Sequence, residues 1–267
     1  MLHLLTFNFK NFQTLKLLKR ELNIFLSSVL FFTRIPVPFL KGDIQGSLKD
    51  AIRYFPLVGA IVGGIVALAF FGLQQIFPFP LAIILSIVAG LIITGALHED
   101  GFADFCDGYG GGHTKERILA IMKDSSIGVY GAVGVVSILA VKFFSLLSIN
   151  PERIIVSLIA AHTFSRLTPV FLMFTSHYVR PDETAKAKTV GNNASLGSLL
   201  VASLVGGASL FLLSINQAIV VLVVVTVLFI GFRAYIIKKT GGYTGDVLGA
   251  LQQITEVTMY LVIVAVK

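Results

Sequence analysis

Between His98 and Gly112 the chain reads HEDGFADFCDGYGGG, which gathers Glu99, Asp100, Asp104 and Asp107 directly after an apolar run long enough to cross a bilayer. Carboxylates at a membrane face are costly to desolvate, so their clustering needs a reason. Asp100, Asp104 and Asp107 are separated by four and then three residues, which on a helix places all three on one face. Three anions converging on one point repel unless a cation joins them. A hard divalent ion such as Mg²⁺, held by carboxylates together with substrate phosphate, suits that donor set. The run Gly110, Gly111, Gly112 would let backbone amides approach an anion closely, so Gly111 and Gly112 are candidate phosphate contacts. The plainer reading is a solvated acidic loop between two spans. Helical spacing, the glycines and the basic segment that follows weigh against it.

Further candidates flank this motif. Arg117, Lys123 and Ser125 follow within one loop, and Arg and Lys supply charge-assisted bonds to phosphate oxygens. Gly128 and Gly131 flank Tyr130 where the next span begins, a place where a helix amino terminus favours an anion. Near the carboxyl terminus GGYTGDVLGALQQITE carries Thr244, Asp246 and Glu256. Asp246 either caps the last helix or joins the chemistry. Glu256 lies roughly 15 Å deeper along the axis, where a carboxylate needs a partner or a wet cavity; Arg166, in HTFSRLTP, is the candidate partner. Arg34, in FFTRIPVP, joins the substrate-binding candidates. His98 either removes a proton from a hydroxyl, its imidazole titrating near neutrality, or snorkels at the interface, pointing away from the aspartate face.

These residues need a membrane scaffold to position them. The chain is 55% hydrophobic and only 13% charged over 267 residues, against roughly a quarter charged in soluble domains, and its mean hydropathy is +0.88. Apolar runs at 57–78, 80–98, 127–148, 153–175, 196–213, 217–237 and 247–266 are each long enough to cross a hydrocarbon core of roughly 30 Å. The expected fold is an all-α, polytopic helical bundle with about seven transmembrane helices, six to eight being compatible. Residues 1–267 read as one membrane-embedded domain, with a basic interfacial segment over 1–21. The segment 22–40, broken by Arg34, Pro36 and Pro38, reads as re-entrant or interfacial.

The net charge of +7 follows topology rather than nucleic acid. Lys10, Lys16, Lys19, Arg20, Lys41, Lys49, Arg53, Lys115, Arg117, Lys123, Arg180, Lys186, Lys188, Lys238 and Lys239 fall on one side of a seven-span arrangement, and the connections on the opposite side contain only Arg153. Positive residues stay inside, so the amino terminus and the acidic motif are expected on the cytoplasmic face and the carboxyl terminus outside. Cys106 is the single cysteine, which excludes an intrachain disulfide and a cysteine-based zinc site. Gly59-x-x-x-Gly63 reads as a helix-packing surface.

Several of these segments together resemble the cobalamin synthase family, the membrane adenosylcobinamide-GDP ribazoletransferases. HEDGFADFCDGYGGG is similar to that family's acidic signature and RILAIMKDSSIGVYG to the segment after it, while FFTRIP and GGYTGDVLGALQQITE match in order and spacing. The resemblance spans about 24–260, with Leu196–Ile237 adding little beyond hydrophobicity. It implies an enzyme that joins adenosylcobinamide-GDP to α-ribazole, or its 5′-phosphate, at the late step of nucleotide-loop assembly. A ribose hydroxyl would attack the cobinamide-side phosphorus and GMP would leave. In that reading Asp100, Asp104 and Asp107 hold Mg²⁺, Glu99, His98 or Asp246 steers or deprotonates the hydroxyl, and Arg117 and Lys123 stabilise the departing phosphate. The setting would be a bacterial inner membrane, with lipid and small-molecule substrates as partners and no nucleic acid. A CDP-alcohol-type transferase would share the aspartates, but HEDGFADFCDG lacks the Ala-Arg pair of that pattern. An ion-coupled transporter would explain Arg166 and Glu256 but not the one-sided polar loops.

Overall fold

The structure is a computed structural model that describes residues 2–37, 50–180 and 195–266. Pro38, Lys41, Lys49, Lys186 and Lys188 lie outside the described residues. Helix α1 (Leu2–Phe32) runs unbroken through the boundary expected near residue 21. Helical geometry ends at Thr33, just before Pro36, which cannot donate to a helical ladder and biases the residue before it towards extended backbone. A 3₁₀ turn (Ala51–Tyr54) leads into α2 (Phe55–Leu73), followed by α3 (Phe79–Thr94), α4 (Leu97–Gly111) and α5 (Lys115–Ile121). Then come α6 (Val129–Ser148), α7 (Ile154–Ser165), α8 (Leu167–Thr175), α9 (Leu196–Ala208), α10 (Ile215–Thr240) and α11 (Gly245–Ala265). Among the described residues the one sheet-like pairing is an isolated bridge between Tyr178 and Tyr243.

All seven apolar runs are helical, so the all-α membrane bundle holds. Five helices are long and apolar enough to cross a membrane: Ala51–Leu73, Val129–Ser148, Pro151–Thr175, Ile215–Thr240 and Gly245–Ala265. The other two runs fall short for different reasons. Leu196–Leu212 is a shorter apolar helix, and Phe79–Thr94 turns by 89° into Leu97–Gly111, a sixth span only if that bent pair is counted as one. Burial sorts the spans into layers. The apolar windows of Pro151–Thr175 and Gly245–Ala265 are 78% and 72% buried, against 17% for Ile215–Thr240 and 22% for Val129–Ser148, so the first two form the centre and the others coat it.

The centre is held by a close approach of backbones. A Cβ on Gly63 would sit 2.9 Å from the Cβ of His162 and 3.0 Å from the Cα of Ile159, and one on Gly59 would press on the His162 carbonyl. The Gly59-x-x-x-Gly63 face therefore seats α2 directly on α7, as small-residue stripes do in lipid, where van der Waals packing drives association. The segment Arg53–Pro56 anchors α1. Arg53 pairs with Glu21 at 2.9 Å and with Asp50 at 2.9 Å.

Candidate active site

The acidic motif is a helix, and it is turned out of the axis of the one before it. Gly95 (φ 64°) and Ala96 (φ 56°) are consecutive left-handed residues, and they carry the chain through the 89° bend from α3 into α4. Glycine takes that region freely, alanine at a cost. Helix α4 then runs across one end of the bundle against the first turns of α11. A Cβ on Gly101 would lie 3.0 Å from the Cα of Asp246, and one on Gly249 would lie 3.2 Å from the His98 carbonyl oxygen. Arg34 reaches the same corner: its backbone N–H donates to the Ile93 carbonyl at 2.7 Å, and its side chain lies over Gly95.

The crossing brings together carboxylates from two distant motifs. Asp100 is exposed, while Asp104 and Asp246 are partly buried. Burial, then the neighbouring carboxylates of Asp246 and Asp100, push Asp104 up to about 7. The cation acting on Asp104 is Arg180. Its Nη2 donates to Asp246 Oδ2 at 2.7 Å and to the Met122 carbonyl at 2.9 Å. Asp246 is not the cap of α11. Thr244 fills that place, its Oγ1 accepting from the Val247 N–H at 3.4 Å and donating to Asp246 Oδ2 at 3.2 Å. Thr244 thus acts as the cap, with no free hydroxyl aimed at a ligand.

Asp107 departs from the expected metal set. Its two oxygens accept the N–H groups of Gly128 at 2.7 Å and Gly131 at 2.8 Å, so it caps α6. Two charge-assisted bonds to orphan helix donors outcompete a more distant cluster. Among the described residues no three acidic, His or Cys groups lie at metal-ligating separation. The glycine run is also corrected. Gly111 is the last residue of α4, and the Gly112 N–H is spent on the Gly108 carbonyl at 2.9 Å. A Cβ on Gly112 would lie 2.6 Å from Ile118 Cγ1, so this glycine admits α5 rather than a phosphate. Arg117, Lys123 and Ser125 are exposed around α5 and the turn after it, at the same end of the bundle but outside the carboxylate cluster.

Beneath the crossing lies a buried polar network. Lys142 Nζ is 3.0 Å from Glu256 Oε1 and donates to Gln253 Oε1 at 3.0 Å. Gln253 Nε2 donates in turn to Glu99 Oε1 at 2.8 Å and to Gln252 Oε1 at 2.9 Å. Gln252 Nε2 donates to Glu256 Oε2 at 2.7 Å and to Ser165 Oγ at 3.0 Å. Glu256 is thus a neutralised core carboxylate, with His162 Nε2 at 3.6 Å as a further neighbour, and not a substrate contact at the surface. Its ion pair is with Lys142, not Arg166, which donates to the His162 carbonyl at 2.7 Å and lies over the Phe55 ring. His98 does not snorkel: it is only 4% exposed and faces this interior beside Phe55.

Sequence reading missed two residues. Lys142 carried a signal, a lone lysine inside the apolar run ILAVKFF, because an intramembrane cation demands a partner. Arg180, in SHYVRPD, carried none, since only the fold brings it to Asp246.

Comparison with known proteins fits this arrangement. The cobalamin-5-phosphate synthase family model matches residues 24–264. The chain is 43% identical over 252 residues to the adenosylcobinamide-GDP ribazoletransferase of Shewanella frigidimarina (strain NCIMB 400), covering 92% of this chain and 96% of that one. It is 41% identical over 251 residues to the protein of the same name from Vibrio parahaemolyticus serotype O3:K6, covering 93% and 94%. No solved structure matches.

Proposed function

The chain belongs to the cobalamin-5-phosphate synthase family, and from that premise we propose that it joins adenosylcobinamide-GDP to α-ribazole, or its 5′-phosphate, with release of GMP. It is a transferase of cobalamin biosynthesis with small-molecule precursors as substrates, carried on several membrane-crossing helices. The observation that supports the chemistry best is the meeting of Asp100 and Asp104 with Asp246 where α4 crosses α11. Carboxylates that repel one another beside a single arginine suit a divalent cation and a pyrophosphate arriving together.

Asp100, Asp104 and Asp246, all hard oxygens, do not stand at metal-ligating separation from one another, so they would hold Mg²⁺ together with oxygens of the incoming pyrophosphate, with Asp107 left to α6. The ion would neutralise charge on the pyrophosphate and help orient it. The protein's own work is positioning and charge balance, which dominate phosphoryl transfer. A ribose hydroxyl attacks the cobinamide-side phosphorus, an O–P bond forms, the bridging bond breaks with its electron pair leaving on GMP, and the hydroxyl proton passes to a carboxylate at this end of the bundle and on to solvent. Arg180, Arg34, Arg117 and Lys123 are among the cations at this end of the bundle that could meet the departing phosphate. The lysines and arginines collected there favour a cytoplasmic active face in a bacterial inner membrane.

The test is reconstitution. Purified protein in detergent, given adenosylcobinamide-GDP, α-ribazole and Mg²⁺, should form the cobalamin product and GMP in equal amounts. Absence of both products, with protein shown to be folded, overturns the reading.

A further inference from the structure

The interior network encloses a small cavity beneath the α4–α11 crossing. His98, Glu99, Lys142, Arg166, Gln253 and Glu256 are among the residues of its polar lining, and Leu146, Leu158 and Val66 form part of its apolar wall. Three polar atoms on that lining are buried without a partner: Glu99 Oε2, His98 Nε2 and Arg166 Nε. Their residues are 8%, 4% and 1% exposed. A buried polar atom left unpaired costs about 1–3 kcal/mol, so three around one space mark a place where something polar belongs. The set combines a carboxylate acceptor, a guanidinium donor and an imidazole nitrogen. A group that both donates and accepts satisfies it, which is the chemistry of a water molecule or of the ligand hydroxyl that displaces it, and not of a phosphate or a bare cation.

We propose that this cavity receives a hydroxyl group of the nucleoside acceptor, with Glu99 Oε2 as its acceptor and with Lys142 and Gln253 as positioning residues for Glu99. The positioning follows from the bonds already made. Lys142 takes the Gln253 carbonyl, which turns the Gln253 amide towards Glu99. That amide holds Oε1 and leaves Oε2 facing the cavity. Glu99 and Asp100 are consecutive on α4 and point about 100° apart around its axis, Glu99 inward and Asp100 outward, so the acceptor would span that turn, one hydroxyl at Glu99 Oε2 and its remaining atoms towards the crossing. The inference rests on the transferase reading above and adds the acceptor's subsite to it.

Equilibrium binding of radiolabelled α-ribazole to the purified full-length protein, without the second substrate, reads the subsite apart from turnover. Glu99→Gln should weaken α-ribazole at least about tenfold while adenosylcobinamide-GDP binding stays within twofold. Acceptor analogues with single ribose hydroxyls removed should bind the wild type at least about tenfold more weakly at one position, and Glu99→Gln should erase that preference. In steady-state assays Gln253→Leu should raise KM for α-ribazole and leave KM for adenosylcobinamide-GDP unchanged, a split that loss of folding alone does not produce. If Gln253→Leu does not fold, the Glu99→Gln and analogue measurements decide alone. Unchanged α-ribazole affinity in Glu99→Gln, or a loss shared equally by both substrates, overturns the subsite. Failure of the transferase reading is distinct, because the wild type would then make no GMP at all.

Discussion

Asp104 and Asp107 stand three residues apart on α4 and do different work. Asp104 meets Asp100 and Asp246, whereas Asp107 accepts two backbone N–H groups at the start of α6. Asp104→Asn should abolish transfer at saturating substrate while leaving the melting temperature at or above wild type, because it relieves repulsion. Asp107→Asn removes one of two acceptors at a helix start and should cost about 1–2 kcal/mol of stability, read as a lower melting temperature with activity retained below it. The reverse pattern would exchange their roles. The raised carboxyl of Asp104 adds a pH test. Its value rises from 3.8 unfolded to about 7 folded, so the folded protein binds more protons between those values and its stability falls as pH rises through them. Thermal melts of ligand-free protein should therefore show a decline towards pH 7 that Asp104→Asn flattens; an identical slope in both proteins removes Asp104 as its source. Spacing made the three aspartates legible as one face. It did not show that Gly128 and Gly131 would bring a helix start to Asp107, since that depends on contacts between segments about twenty residues apart.

At the scale of elements the decisive feature is the corner between α3 and α4. Ala96 holds a left-handed conformation that costs an L-residue roughly 1–2 kcal/mol, and Gly95 holds the same region with Arg34 against its open side. Gly95→Ala should lose about 1–2 kcal/mol and impair transfer by displacing Arg34 and tilting the acidic helix. Ala96→Gly should gain up to about 1 kcal/mol. Melting temperatures in detergent that move in opposite directions check the pair; equal shifts would mean that the corner is not strained at Ala96. Hydropathy marked 80–98 as a span because it counts apolar residues and is blind to backbone handedness. The glycine in TGALHED was visible, but a left-handed alanine has no sequence signature. The Gly59-x-x-x-Gly63 contact was legible, because small residues four apart leave few other uses for that face in lipid. Lys142 shows the limit from the other side: its oddity was readable, but its partners Glu256 and Gln253 lie more than a hundred residues away.

The whole molecule places the carboxylate crossing, Arg34, Arg180 and the exposed cations of α5 at one end of the bundle. The connection at Asn150 lies beyond α6, a helix of about 30 Å at 1.5 Å per residue, and so at the other end. If the positive end is cytoplasmic, the single native thiol reports it. Cys106 lies between Asp104 and Asp107 and packs against Gly134 of α6, half-buried. Burial, then the charge of Asp107, raise its thiol to about 11, so thiolate is scarce at neutral pH and labelling should be slow but quicken as pH rises. A membrane-impermeant maleimide should spare Cys106 in intact cells and label it in inside-out vesicles. An Asn150→Cys variant should react from the outside once the outer barrier is permeabilised. Mg²⁺ and adenosylcobinamide-GDP should slow Cys106 labelling, because a ligand bridging α4 and α11 holds the acidic helix against α6, where the sulfur packs on Gly134. Labelling of Cys106 from outside would invert the bundle and put its basic end on the wrong side for a cytoplasmic transferase. Protection by the nucleotide-bearing substrate without any sidedness would keep the site and discard the topology.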